Sequence, residues 1–162
     1  MITAALYYEQ RRYDEAITLL EKVVELDQSF AVAYDLLAIS YARKGMYEQA
    51  IANYEREFAL MGESAQTLAG LREAYKSSGI KAYWLAHVEL LKARSKRTYV
   101  SPIFIAMDYA ELGDHDKVVE WLNKAYADRS FYIALLNFEQ TLDNLRPDPR
   151  FKELLRRANL PE

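Results

Sequence analysis

The chain of 162 residues has no cysteine and only two histidines, His87 and His115. Without thiols it forms no disulfide, uses no thiolate nucleophile and builds no cysteine-based zinc site. Neither histidine has a second histidine at the spacing of metal ligands. We therefore expect both to have structural or surface roles, and we predict no catalytic residue, no metal site and no cofactor.

Strong net charge, long apolar runs and early prolines are also missing. The formal net charge is −3, so no strong positive field favours nucleic acid as a partner. No apolar run approaches the roughly 20 residues of a membrane-spanning helix, which argues against a membrane protein. The amino terminus lacks the basic and apolar regions of a signal peptide, so we expect a cytoplasmic location.

What the sequence does contain is a repeat with a period of 34 residues. Several columns recur at this spacing, which is a more specific signal than any one column alone. The aromatic column is Tyr7, Tyr41, Tyr75 and Tyr109. The glycine column is Gly45, Gly79 and Gly113, and a mostly small column is Ala4, Ala38, Arg72 and Ala106.

Each repeat has the pattern of two helices. In residues 31–64, apolar side chains follow helical spacing up to Gly45, and a second helical run follows and ends at Gly62. The first 101 residues contain no proline, which suits uninterrupted helices. No segment shows the two-residue alternation of strands with hairpin turns, so we predict an all-α fold.

The block from Tyr34 through Leu37, Ala38, Tyr41, Gly45 and Tyr47 to Ala50 and Tyr54 resembles a tetratricopeptide repeat. This resemblance implies a right-handed superhelix of about four helix-turn-helix repeats with a carboxyl-terminal capping helix. We expect a single domain, 1–162, with repeats at about 1–30, 31–64, 65–98 and 99–132 and a capping tail at 133–162. The first repeat lacks its initial residues, which suggests that the natural chain extends further back.

Some residues depart from the family pattern. Arg72, Trp84 and Val118 stand where small residues are usual, and Glu57 does so in another column. We therefore expect the third repeat to pack loosely or at an altered angle.

The tail carries the expected cap. A short apolar helix is predicted around Phe131, Leu135, Leu136 and Phe138, and Asp148-Pro149 has the pattern of an N-cap followed by proline at the first helical position. The run from Leu145 to Phe151 resembles the end-of-array segment of bacterial regulators. That resemblance implies that this chain is the carboxyl-terminal sensing or docking part of a larger bacterial regulator. The alternative is a free-standing repeat protein.

In the family, the first helices of successive repeats line a concave groove, and carrying this over gives a mostly apolar partner-binding site. The predicted groove residues are Tyr8, Val32, Asp35, Leu36, Ile39, Gln66, Glu73, Ile103, Phe104 and Met107. Positions that hold an acidic chaperone tail in some family members are Met1, Ala5, Leu36, Gln66 and Gly70 here, and none is basic. We predict a non-catalytic scaffold that binds a protein or peptide through apolar anchors.

Three alternatives stay open at this point. The groove side chains could pack between neighbouring helices or against the tail instead. The apolar edge of the first repeat, with Ile2, Ala5 and Leu19, could pair in a homodimer. The chain could also sense a small ligand, which an enclosed cavity lined by Tyr8, Ile39 and Phe104 would favour.

Overall fold

The structure, a computed structural model, describes residues 1–161, and within this range it contains helices and turns but no strand. The predicted all-α helical-repeat fold is confirmed. The chain divides into two compact units, Met1–Glu73 and Ala74–Glu162. The prediction of one domain over 1–162 stays a prediction.

Unit 1 consists of helix hairpins. Its helices are α1 (Ile2–Glu9), α2 (Tyr13–Leu26), α3 (Ala31–Arg43) and α4 (Tyr47–Leu60). Helix α1 packs against α2, α2 against α3, and α3 against α4. The division between the units falls within α5 (Ala65–Ser95), whose helical backbone is broken at Gly79.

Small residues let the helices of unit 1 approach closely. Ala4, Ala16, Ala33, Ala38 and Ala50 are all buried, and several pack beside Tyr8, Ile17, Leu20 and Leu37. Because an alanine has no side chain beyond Cβ, the facing backbone comes near enough for the larger neighbours to fill the space beside it. Ala4 and Ala38, members of the small column seen in the sequence, are thus among the residues at the helix contacts.

Arg72 departs from the small column without entering the core. Its Nε and Nη2 donate to the two carboxylate oxygens of Glu55 at 2.7 and 2.5 Å. This two-point contact between α5 and α4 holds the guanidinium at the edge of the hairpin, where its charge stays partly solvated.

Unit 2 begins within α5 and continues with α6 (Pro102–Leu112) and α7 (His115–Ala127), which pack against each other. The tail follows as two 3₁₀ helices, Phe131–Phe138 and Gln140–Leu145, and then α8 (Pro149–Arg157). Trp84, which we expected to loosen the third repeat, is buried with its ring edge-on to Tyr83 at 5.2 Å. The expectation that the third repeat packs loosely or at an altered angle stays a prediction.

The tail closes the core of unit 2, as predicted. Its apolar side chains form one cluster with α6 and α7; the tail members are Ile133, Leu136, Leu142, Leu145, Phe151, Leu154 and Leu155. The carboxylate of Asp148 accepts a hydrogen bond from the backbone N–H of Arg150, and Pro149 begins α8. The predicted N-cap is thus confirmed, but the segment around Phe131 is a 3₁₀ helix that leaves Phe131 and Phe138 exposed.

Candidate partner-binding surface

The part of the predicted groove that lies in unit 1 is centred on α3. Val32, Asp35, Leu36 and Ile39 are spaced by three and four residues, so they share one face of this helix. Val32 is 57 % exposed, whereas Leu36 and Ile39 are half-buried against the hairpin core. We call these four residues the α3 face. The apolar side chains of the α3 face are accessible at the surface, while the core residues beneath them stay buried.

Gln66 and Glu73 lie on the first part of α5, and both are exposed. Their exposure is compatible with a contact surface, but they are polar side chains. They would give hydrogen bonds at the margin of an interface more readily than apolar burial.

In unit 2 the predicted residues lie on α6. Phe104 and Met107 are half-buried and pack against the core cluster of this unit. The ring of Phe104 meets Tyr132 of the tail edge-on, with 4.9 Å between ring centroids. Part of the surface of Phe104 is therefore already used in packing against the tail, which is one of the alternatives left open by the sequence.

Two of the predicted groove residues are core residues. Tyr8 is 6 % exposed and Ile103 is 1 % exposed, and each belongs to the buried cluster of its own unit. The family pattern places both on first helices but does not fix their rotation toward the neighbouring second helix. We therefore remove Tyr8 and Ile103 from the candidate surface and keep the other eight positions.

A buried polar pair in unit 2 was not predicted. His87 and Asp108 are 6 % and 4 % exposed, and Nδ1 of His87 lies 2.7 Å from Oδ2 of Asp108. Burial raises the pKa of the Asp108 carboxyl, while the neighbouring His87 opposes that rise. The ring of His87 stacks on Tyr83 with 5.9 Å between centroids. The pair ties α5 to α6 and gives His87 the structural role that the sequence favoured, while His115 is exposed.

In the sequence, this pair is indicated only by the residues that surround each of its members. Asp108 follows directly on the apolar run 102–107 of α6, and His87 follows the aromatic residues Tyr83 and Trp84 at helical spacing. A polar residue within an apolar stripe is buried only when a partner satisfies it. Sequence periodicity does not say which residue that partner is.

Within residues 1–161, no three side chains of histidine, cysteine, aspartate or glutamate converge at a position where they could hold a metal ion. Over these residues no helix is both long enough and apolar enough to span a membrane.

Residues 4–45 match the family model described as TPR repeat, a segment that runs from α1 to the glycine that ends α3. No curated protein and no solved structure matches the chain significantly. Repeats of this family generally mediate protein–protein interactions, and they are typically non-catalytic. Residues 4–45 are thus similar to a tetratricopeptide repeat, and the helix hairpins of the structure give the chain an all-α helical-repeat fold.

Proposed function

We propose that this chain is a non-catalytic scaffold that binds a protein or peptide partner through apolar faces of the first helices of its repeats. The observation that carries the proposal is the α3 face, where Val32, Leu36 and Ile39 present partly exposed apolar surface at helical spacing. Burying such surface against a partner contributes about 25 cal/mol per Å². Phe104 and Met107 on α6 supply a similar surface in unit 2.

The chemistry of the α3 face favours a partner with apolar anchors. Two arrangements fit it: an amphipathic helix with anchors three or four residues apart, or an extended peptide with alternate apolar side chains. Leu36, Gln66 and Gly70 stand where a carboxylate-binding site would need basic residues. An acidic tail is therefore not the occupant that we propose for this face.

We further propose that the chain is the docking part of a larger cytoplasmic bacterial regulator. The run from Leu145 to Phe151, which resembles the end-of-array segment of such proteins, supports this proposal. In the structure this run spans the end of the second 3₁₀ helix, the turn that follows, and the N-cap and first turn of α8.

The test of the scaffold function is a peptide selection followed by measurement of binding to matched variants. Phage-displayed peptides are selected on the wild-type chain, and their affinities are measured for Val32→Arg and Leu26→Arg. Leu26 is the matched control, since it is an exposed apolar residue of unit 1, 89 % exposed, that lies on a second helix. Val32→Arg should weaken binding at least tenfold, and Leu26→Arg should leave it unchanged.

Circular dichroism shows whether both variants keep the wild-type helix content. Selected peptides that bind Val32→Arg as tightly as wild type would contradict the proposed site. Failure to select any peptide with apolar anchors would contradict the proposed function itself.

A second candidate is self-association through the edge of the first repeat. Ile2 is 81 % exposed on α1, and Ala5 and Leu19 lie partly buried on α1 and α2. Paired edges would bury this apolar surface in a symmetric contact. Analytical ultracentrifugation of wild type and Ile2→Glu tests this: a dimer that the substitution dissociates supports the edge contact, and a monomer at all concentrations contradicts it.

A further inference from the structure

Unit 2 has an open pocket where its tail meets the end of α7. The pocket has a volume of about 720 Å³. Four chain segments form it: the last turn of α7 with Tyr126, the following turn with Arg129, the first 3₁₀ helix with Phe131, and the end of α8 with Arg157. We call it the tail pocket, and none of the predicted groove residues lines it.

The tail pocket is positively charged. Arg129 and Arg157 line it, and no aspartate or glutamate does so among the described residues. Within residues 1–161 the guanidinium of Arg129 makes no hydrogen bond or ion pair. Arg157 donates to the neutral amide of Asn123 at 2.9 Å and lies over the ring of Tyr126, 4.5 Å from its centroid. Two cations that line one pocket favour an anionic occupant, even though the whole chain is acidic.

Helix ends oppose this attraction only in part. Both α7 and α8 end at the tail pocket, and each carboxyl terminus carries about half a negative charge. The free carbonyls are largely capped: the N–H of Ser130 donates to the carbonyl of Ala125 and that of Leu160 to Leu155, at 3.0 and 2.9 Å. Two full guanidinium charges outweigh two capped half-charges.

Arg129 occupies a backbone position that normally favours glycine. Its φ is 53°, and its N–H donates to the carbonyl of Tyr126 at 3.0 Å in the hydrogen-bond pattern that ends α7. Gly45 and Gly113 hold the corresponding positions after α3 and α6, with φ of 72° and 78°. An arginine there is strained relative to glycine, so replacing Arg129 by glycine removes the guanidinium without straining the backbone.

The tail pocket also has an apolar wall. Phe131 is 77 % exposed, and Ile133, Ala134 and Leu160 line the pocket with it. An exposed phenylalanine beside two arginines can bury an apolar side chain of a ligand while the guanidiniums pair with its charge.

We propose that the tail pocket binds a peptide segment of a partner protein in which a carboxylate side chain stands next to an aromatic or branched apolar residue. The carboxylate pairs with Arg129 and Arg157, and the apolar residue packs on Phe131. Charge complementarity selects this occupant over the uncharged apolar peptide proposed for the α3 face. The site is therefore a second docking point with a different specificity, and it does not depend on the first.

The probe is an array of heptapeptides in which each acidic–apolar sequence is paired with a twin whose carboxylates are replaced by carboxamides. The strongest acidic binders are then measured by fluorescence anisotropy with a fluorescein label. We expect acidic peptides to bind at least tenfold more tightly than their carboxamide twins. This difference should shrink as salt is raised from low to physiological concentration, because salt screens partly exposed charges.

Two arginine variants separate binding from folding. Arg129→Gly should weaken binding of the acidic peptides at least tenfold, yet it relieves backbone strain and should not lower the melting temperature. Arg11→Gly is the matched control, since Arg11 is also an arginine at positive φ, 60°, after a helix, but it lies in unit 1 outside the tail pocket. Arg157→Gln and Phe131→Ala should each weaken binding, whereas Val32→Arg should not.

The proposal is overturned if no acidic peptide binds better than its carboxamide twin. It is also overturned if Arg129→Gly binds the acidic peptides as tightly as Arg11→Gly does. Peptides that bind the α3 face but not the tail pocket would contradict this proposal and leave the proposed function intact. Peptides that bind the tail pocket but not the α3 face would contradict the proposed site on α3 and leave this proposal intact.

Discussion

The two units of the chain build their cores by different means. Unit 1 relies on small residues in repeat columns, with Ala16, Ala38 and Ala50 at its helix contacts. Unit 2 has Trp84 and Val118 in the column of Ala16 and Ala50, and it adds tail residues and a buried polar pair. The comparison shows that a repeat can lose its small residue when other contacts specify how its helices pack.

The polar pair of unit 2 carries the largest expected effect. We expect His87→Ala to leave Asp108 buried without its partner, which lowers the free energy of unfolding by about 3–5 kcal/mol. His115→Ala is the control, since this exposed histidine should change stability by less than about 0.5 kcal/mol. Urea denaturation followed by circular dichroism measures both variants, and equal losses would show that the pair does not stabilise unit 2.

A reciprocal swap at one repeat column tests the comparison directly. Ala50→Val should overpack the hairpin of unit 1 and destabilise it by about 1–3 kcal/mol, since Ala50 is fully buried against α3. Val118→Ala should remove two buried methyl groups from unit 2 at about 0.8 kcal/mol each. Each change makes one unit resemble the other, and both should lower the midpoint of urea denaturation. A neutral Ala50→Val would mean that unit 1 does not need a small residue there.

Two glycines of α5 should respond in opposite directions. Gly79 has φ 77° and ψ −170°, a conformation that is essentially restricted to glycine, so Gly79→Ala should cost at least about 1 kcal/mol. Gly70 has no positive φ, and a Cβ there would contact nothing, so Gly70→Ala should stabilise its helix by about 0.5–1 kcal/mol. Thermal melts of both variants provide the measurement. If both substitutions stabilise, the break at Gly79 is not required by the fold.

The smallest effect concerns the cap of α8. Hydrogen bonds from Arg150 lower the pKa of Asp148 from its ordinary 3.8 to about 2. Because the folded pKa lies below the unfolded one, its contribution to stability is complete above the ordinary value and is lost as pH falls toward about 2. Asp148→Asn keeps a good N-cap but cannot titrate, so its stability should fall less steeply over this range than that of wild type. Parallel slopes for the two proteins would contradict the assignment.

The sequence predicted the helix hairpins because their period is local. The 34-residue columns located the pairs of α1 with α2, α3 with α4 and α6 with α7, and Gly45 and Gly113 marked helix ends. The cap at Asp148-Pro149 was also predictable, since it depends on adjacent residues.

Contacts between distant residues were less predictable. His87 and Asp108 are 21 positions apart, and their pairing depends on how two helices pack. Tyr8 and Ile103 were assigned to a groove because the family pattern gives the helix but not the rotation of each side chain. The tail pocket combines Arg129 and Arg157, which no sequence spacing relates.

The central claim, that the chain is a binding scaffold that uses the α3 face, is tested most directly by hydrogen exchange with a selected apolar peptide bound. Mass spectrometry compares amide exchange of the free and peptide-bound wild-type chain, with Val32→Arg as the control. We expect exchange to slow across α3, Ala31–Arg43, in wild type and to stay unchanged in Val32→Arg. Protection that leaves α3 unaffected, or that persists in Val32→Arg, would contradict the account.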